Sequence, residues 1–135
     1  MIYVLKGNPI PLARARTSYV LRRNYDGQKA QKMITGIDLQ CQRNDEPFLK
    51  GPLLFKCTFY LPIPTSISKK KRDYYFNRYH IARPDTDNLI KYILDVCQGI
   101  FYEADSIVAK IEAEKRYCLA QDTRTEFEFI ELKGE

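Results

Sequence analysis

Apolar and polar residues alternate from Leu53 to Leu61 more clearly than anywhere else in the chain. Successive side chains on a β-strand point to opposite faces, so this alternation predicts a strand with one buried face. A similar alternation predicts a strand over residues 107–119, and β-prone runs predict strands over residues 2–5 and 125–132. We expect the strands at 107–119 and 125–132 to pair antiparallel, since only a short turn separates them.

Apolar residues at helical spacing predict three helices. The first covers Gln28–Arg43, the second runs from an N-cap at Ser68 to about Arg78, and the third runs from Asn88 to about Ile100. Asp85 or Thr86 is the expected cap of the third helix, which has the strongest apolar stripe. The apolar face predicted for the first helix consists of Ala30, Met33, Ile34, Ile37 and Cys41.

The composition fits one globular domain of 135 residues, with 44% hydrophobic and 29% charged residues. The chain has no run of about 18 apolar residues and no signal-peptide pattern at its start, so we expect no membrane span and a cytoplasmic location. Its four cysteines allow two disulfides, but they are widely spaced in apolar segments, which favours reduced core thiols. They are Cys41, Cys57, Cys97 and Cys118.

The net charge of +5 hides an asymmetry between the two parts of the chain. Residues 1–83 contain 16 Lys and Arg against 5 Asp and Glu, whereas residues 84–135 contain 6 against 12. A basic part and an acidic part in one small domain fit a phosphate-binding surface beside a cation-binding pocket. The alternative, that each part only has its own solvated faces, fits the charges equally well.

Two basic stretches, one around Arg14 and Arg16 and one from Lys69 to Arg72, are candidates for contacts with the nucleic-acid backbone. In the second stretch, four cations from Lys69 to Arg72 fall in the first turn of a predicted helix, where they oppose the helix dipole unless an anion is near. A solvated loop and a solvated helix face are the alternatives. The candidate DNA-binding residues are Arg14, Arg16, Lys69, Lys70, Lys71 and Arg83.

A group of carboxylates accompanies the third predicted helix. Asp87, Lys91 and Asp95 are spaced four residues apart and therefore share one helix face. Asp85 lies just before the helix, and Asp105 lies at the start of the next strand, from where it can close the group if that strand packs on the helix. Converging carboxylates favour Mg²⁺ or Mn²⁺, whereas the alternative is a surface ladder of ion pairs.

The segment Arg83–Lys91 resembles the signature of the RusA family of Holliday-junction resolvases, a P-D-x-D-N-x-x-K helix. The family pattern continues with an aspartate four residues later, here Asp95, and with a pair of aspartates before a strand. This chain has Ala104 and Asp105 at that pair, and Glu103 is one place too early to replace the missing carboxylate.

The resemblance implies a role for each site residue. Asp85, Asp87 and Asp105 become metal-binding catalytic carboxylates, Lys91 becomes the essential lysine, and Asp95 is a candidate for the second shell of the metal site. The implied enzyme is a homodimer that cleaves four-way DNA junctions with Mg²⁺, or with Mn²⁺ in its place, and needs no small-molecule cofactor. It would act in the cytoplasm of a bacterial or phage-infected cell.

The predicted fold, which the resemblance supports more than the strand pattern does, is a single α+β domain over residues 1–135. It consists of a mixed sheet of about four or five short strands with helices packed on one side. A different hypothesis is a non-catalytic, basic DNA-binding accessory protein of phage recombination, in which the carboxylates only cap helices and form ion pairs. Ala104 is the best support for that alternative.

Overall fold

A computed structural model describes residues 1–13, 16–18, 23–25 and 27–133 of the chain. These residues form an α+β domain with a mixed four-stranded sheet, a separate two-stranded hairpin and three α-helices. The predicted fold class is confirmed. The strands are β1 (Tyr3–Lys6), β2 (Arg16–Ser18), β3 (Arg23–Tyr25), β4 (Leu53–Pro62), β5 (Val108–Cys118) and β6 (Arg124–Glu131), and the helices are α1 (Lys29–Arg43), α2 (Lys69–Tyr75) and α3 (Thr86–Cys97).

Strand β4 is central in the sheet, whose order is β1-β6-β4-β5. It pairs parallel with β5 and antiparallel with β6, and β1 adds to the far side of β6. The predicted pairing of β5 with β6 is therefore wrong. The connection from Leu119 to Thr123 contains a 3₁₀ turn that contacts β4, and it carries the chain across the end of that strand. Five residues are enough to span two strand spacings of about 4.8 Å each.

One face of the sheet forms the core, as the alternation in β4 predicts. The inward side chains of β4 are buried at 5% exposure or less, and they pack against α1 and α3. Burying a phenylalanine in such a core contributes about 1.5–3 kcal/mol relative to leaving it exposed. The main members of this core are Phe55, Cys57, Phe59 and Leu61 of β4, Leu39 of α1, and Leu89, Tyr92, Ile93, Val96 and Cys97 of α3.

The opposite face, which we call the outer sheet face, is polar. It consists of the outward residues of β4 and their neighbours on β5 and β6, several of which form ion pairs such as Arg124–Glu126 at 2.7 Å and Arg116–Glu114 at 2.6 Å. Much of the acidic part of the sequence therefore lies on a solvated face. Across the sheet, Lys56 lies between Glu112 and Glu128, Thr58 between Glu114 and Glu126, and Tyr60 between Arg116 and Arg124.

Helix α1 buries a different face from the predicted one. Its apolar stripe is exposed (Met33 58%, Ile34 72%), whereas Thr35, Leu39 and Arg43 face the core. The hydroxyl of Thr35 and the terminal nitrogens of Arg43 have partners, whereas Nε of Arg43 is buried without one. The Thr35 hydroxyl lies 2.9 Å from the Tyr92 hydroxyl, and the Arg43 guanidinium donates to the carbonyl of Pro47.

Several smaller expectations also change. Helix α2 ends at Tyr75 rather than near Arg78, and α3 starts two residues earlier than predicted, at Thr86. All four cysteines are free thiols, but Cys41 is exposed on α1 and is not a core residue. Burial raises the pKa of Cys57 and Cys97 well above the ordinary thiol range. In the described ranges, no helix has the length and apolar character needed to cross a membrane.

Candidate active site at the two ends of helix α3

Two carboxylates stand at the N-terminal end of α3. Asp85 is the N-cap residue and Asp87 lies in the first turn, where negative charge stabilises the positive end of the helix dipole. The Asp85 side chain makes no capping hydrogen bond, so its oxygens remain available to a ligand. Asp87 pairs with Lys91 at 3.7 Å, and both side chains are more than 60% exposed. The i, i+4 spacing therefore brings Asp87 and Lys91 together as predicted.

The segment before Asp85 is fixed by a lysine from the sheet. Lys115 Nζ donates to the carbonyl of Ala82 at 2.7 Å and to that of Pro84 at 2.8 Å. Lys115 lies beside the buried Phe59 in the parallel register of β5 and β4, on the inward side of the strand. The alternation of β5 contains the signal that would have identified it, because a lysine at an inward position needs a polar partner.

Asp95 lies further along α3 and faces α1. Its carboxylate pairs with Lys32 at 2.8 Å, a contact that joins the two helices. Asp95 shares the helix face of Asp87 and Lys91, as its spacing in the continuous helix requires, but its ion pair is with Lys32 of α1.

Asp105 lies at the other end of α3. It begins a 3₁₀ turn, and its backbone N–H donates to Oε1 of Gln98, the C-cap residue of α3, at 3.3 Å. Burial raises the pKa of the Tyr102 hydroxyl above its ordinary range, and Cys97, Asp105 and Asp95 add to this shift in the same direction. The Tyr102 hydroxyl donates to the carbonyl of Leu94 at 2.7 Å.

A single chain does not bring the three predicted ligands together. The 12 residues of α3 separate Asp85 from the Asp105 end, a distance of about 18 Å at about 1.5 Å per residue. Throughout the described part of the chain, no three His, Cys, Asp or Glu side chains gather in a way that could hold a metal ion. The expectation that Asp105 closes the group within one chain is not met.

The N-terminal end of α3 does fit a partly hydrated Mg²⁺. This ion prefers oxygen ligands, keeps several waters and is commonly held by one or two carboxylates. Asp85 and Asp87 supply two such carboxylates two residues apart, both exposed. Lys91, 3.7 Å from Asp87, supplies a cation that can turn towards a phosphate.

The candidate DNA-binding cations differ in how well they are defined. Lys69, Lys70 and Lys71 are exposed at the start of α2, and no carboxylate among the described residues lies within ion-pair distance of them. Arg83 is exposed and lines a groove that also includes Asp85. Arg14 lies outside the described residues, and Arg16 is described only as part of strand β2.

The sequence pattern of the endodeoxyribonuclease RusA matches residues 6–128 of the chain, which includes all of α3, β4 and β5 and most of β6 but only the last residue of β1. The chain belongs to the RusA family of endodeoxyribonucleases. It is also 26% identical over 140 residues to the uncharacterized protein YqaN of Bacillus subtilis (strain 168), a match that covers 98% of this chain and 96% of that protein.

RusA membership implies an endodeoxyribonuclease of the kind that resolves Holliday junctions, and such nucleases generally depend on a divalent metal. The RusA match includes both ends of α3, and with them Asp85, Asp87, Lys91 and Asp105. It also includes Ala104, which is exposed and precedes the 3₁₀ turn of Asp105.

Proposed function

We propose that this protein is a Mg²⁺-dependent, structure-selective endodeoxyribonuclease. It resolves Holliday junctions and related branched DNA by paired phosphodiester hydrolysis during recombination and repair, in the cytoplasm of a bacterial or phage-infected cell. The observation that carries the proposal is the exposed pair Asp85 and Asp87 at the start of α3, with Lys91 3.7 Å from Asp87, inside a segment with the RusA pattern.

In this proposal, Asp85, Asp87 and Asp105 hold the metal. A bound Mg²⁺ would supply Lewis-acid chemistry, which lowers the pKa of a coordinated water and polarises the scissile phosphate. Lys91 turns from Asp87 to the phosphate oxygens, where it stabilises the negative charge that develops in the transition state. Hydrolysis adds the OH of a water to phosphorus as the P–O3′ bond breaks, and a proton from the water or the solvent goes to O3′, which leaves a 5′-phosphate and a 3′-hydroxyl. Asp95, paired with Lys32 at 2.8 Å, stays outside the ligand set and serves at most in the second shell.

The separation of Asp105 from Asp85 supports a homodimer. A twofold axis perpendicular to α3 reverses the direction of the helix, so the Asp105 end of one copy can approach the Asp85 end of the other. A dimer of this kind has two composite sites, each with Asp85 and Asp87 from one copy and Asp105 from its partner. Two equivalent sites related by a twofold axis match the two symmetric incisions that resolve a four-way junction.

The charge distribution supports DNA contacts on the side of α2 rather than on the sheet. The glutamates of the outer sheet face (Glu112, Glu114, Glu126 and Glu128) are matched by Lys56, Lys110, Arg116 and Arg124 on the same face, so this face offers phosphates little net positive charge. The exposed lysines 69–71 of α2 are joined to Arg83 by a segment that pairs with the edge of β5. We propose that these cations, together with Arg14 and Arg16, contact the DNA backbone.

The test is Mg²⁺-dependent cleavage of a synthetic four-way junction compared with a linear duplex of the same sequence. We expect paired nicks in the junction only, and loss of cleavage by at least about 100-fold in Asp87→Asn with junction binding retained. Asp45→Asn is the matched control, because it makes the same change at an exposed carboxylate in a turn outside α3. Unchanged cleavage by Asp87→Asn would refute the catalytic assignment.

The alternative function is a non-catalytic DNA-binding accessory protein of phage recombination. The ion pair between Asp87 and Lys91, the distance of Asp105 and the presence of Ala104 favour it, because each fits carboxylates that only stabilise the fold. In the same assay, an accessory protein would bind the junction and cleave nothing at any Mg²⁺ concentration.

A further inference from the structure

We propose that Lys115 is a positioning residue for the candidate active site. It holds the backbone immediately before Asp85 and thereby orients that carboxylate for metal binding. The inference rests on the proposed function, since it concerns the same site, but it makes a claim about the backbone that can be tested without catalysis.

The first argument is the unusual environment of the ammonium group. Lys115 is half-buried on the inward side of β5 next to Phe59, so its ammonium group gives up part of its hydration and gains from partners in the protein. Within the described ranges, no carboxylate lies at ion-pair distance, and the hydrogen bonds of Nζ go to the carbonyls of Ala82 and Pro84, at 2.7 and 2.8 Å. Hydrogen bonds from a charged donor are roughly twice as strong as neutral ones.

The second argument is where these two carbonyls lie. They stand on either side of Arg83, and the second belongs to the peptide group that joins Pro84 to Asp85. The ring of Pro84 restricts the backbone torsion of that residue. With its carbonyl also fixed by Lys115, the direction in which Asp85 leaves the segment is determined.

The third argument is that Asp85 has little else to hold it. Its side chain makes no capping bond, and its backbone carbonyl accepts the first hydrogen bond of α3, from Leu89 N–H at 3.2 Å. The segment upstream is tied to β5 by three backbone hydrogen bonds, and the one nearest to Asp85 runs from His80 N–H to the Lys115 carbonyl at 2.9 Å. Lys115 is therefore the contact nearest to Asp85 on its N-terminal side. Loss of a residue that orients a metal ligand typically lowers metal affinity or activity 10–100-fold.

The test compares Lys115→Met with Lys110→Met, a lysine of the same strand that is exposed and pairs with Glu112 at 3.8 Å. We expect Lys115→Met to raise the Mg²⁺ concentration for half-maximal junction cleavage by about 10–100-fold. Junction binding without metal should stay within about threefold, because Lys115 donates to the protein backbone and not to DNA. Lys115→Arg keeps the charge and should raise this Mg²⁺ concentration less than Lys115→Met does.

Hydrogen exchange gives a readout that does not depend on activity. In Lys115→Met, protection of the Leu89 amide should fall relative to that of Val96, which lies deeper in α3, while Lys110→Met changes neither. Equal protection of Leu89 in both variants, with equal Mg²⁺ dependence, would overturn the inference. If the unmodified protein cleaves nothing, the proposed function fails. The exchange rate of the Leu89 amide in Lys115→Met still tests whether Lys115 holds the backbone before Asp85. If Lys115→Met does not fold, the same comparison is made with Lys115→Gln and Lys115→Arg.

Discussion

The separation of Asp105 from Asp87 leads to a complementation experiment. Two ligands of one Mg²⁺ each lie about 2.1 Å from the ion, whereas α3 runs on from Asp87 to Cys97 before the chain reaches Asp105, about 15 Å along the helix axis. A site that uses both must therefore take them from different copies. Asp87→Asn and Asp105→Asn should each be inactive alone, and a mixture of the two should recover activity.

The magnitude follows from the symmetry of a dimer. After random exchange of subunits, about half of the dimers are mixed, and each mixed dimer has one site with both mutations and one site with none. The mixture should therefore contain about a quarter of the intact sites of the unmodified protein. If each site were complete within one chain, every site in the mixture would carry one mutation and no activity would return.

A plasmid with an extruded cruciform provides the assay, because one incision yields a nicked circle and paired incisions yield a linear product. A mixed dimer has a single intact site, so the mixture should give nicked circles, whereas the unmodified protein should give linear DNA. Asp85→Asn mixed with Asp87→Asn is the matched control, since both carboxylates lie at the same end of α3 and no intact composite site can form. If subunit exchange is demonstrated with differently tagged copies and nicking still does not return, the composite site is wrong.

Three further predictions concern the fold and the DNA surface. Burial and, to a lesser degree, the charge of Lys115 lower the pKa of His80 from 6.5, so the free energy of unfolding should fall as the pH drops below about 6.5. In urea melts, His80→Gln should make the free energy of unfolding depend less on pH. The same dependence on pH in both proteins would contradict this assignment. In the same melts, Leu39→Ala should lower the free energy of unfolding by about 2–5 kcal/mol and Ile34→Ala by at most about 0.5 kcal/mol. Equally large losses would mean that Ile34 is buried like Leu39. Replacing lysines 69–71 by alanine should reduce the slope of log K against log salt for junction binding by up to about 3, and an unchanged slope would exclude them from the interface.

Local patterns predicted the fold best where one physical cause dominates. Strand β4 was placed within one residue of its observed end, because alternation directly reflects a strand with one buried face. The buried face of α1 was missed, since it depends on Thr35 meeting the hydroxyl of Tyr92, a partner 57 residues away. A pattern that counts only apolar residues favours Met33 and Ile34, which the structure leaves exposed.

In the candidate site, too, local spacing predicted some contacts, and others depend on the tertiary fold. Asp87 and Lys91 are joined by helical spacing, which the sequence contains, and the structure places them 3.7 Å apart. The position of Asp105 depends on how the chain returns after α3, where Gln98 holds its backbone. The contacts of Lys115 likewise depend on the register of β5 with β4, which no local pattern specifies.

The acidic part of the sequence does not gather at the candidate metal site. A phosphate-binding surface beside an acidic metal pocket would put most of the acidic residues at the site, but the glutamates of β5 and β6 lie on the outer sheet face. That face is held together by its own pairs, such as Arg124 with Glu126 at 2.7 Å. The charges of that face are therefore largely matched among themselves, whereas lysines 69–71 of α2 are exposed and, in the described part of the chain, have no carboxylate at ion-pair distance, which makes the α2 side the better approach for a phosphate backbone.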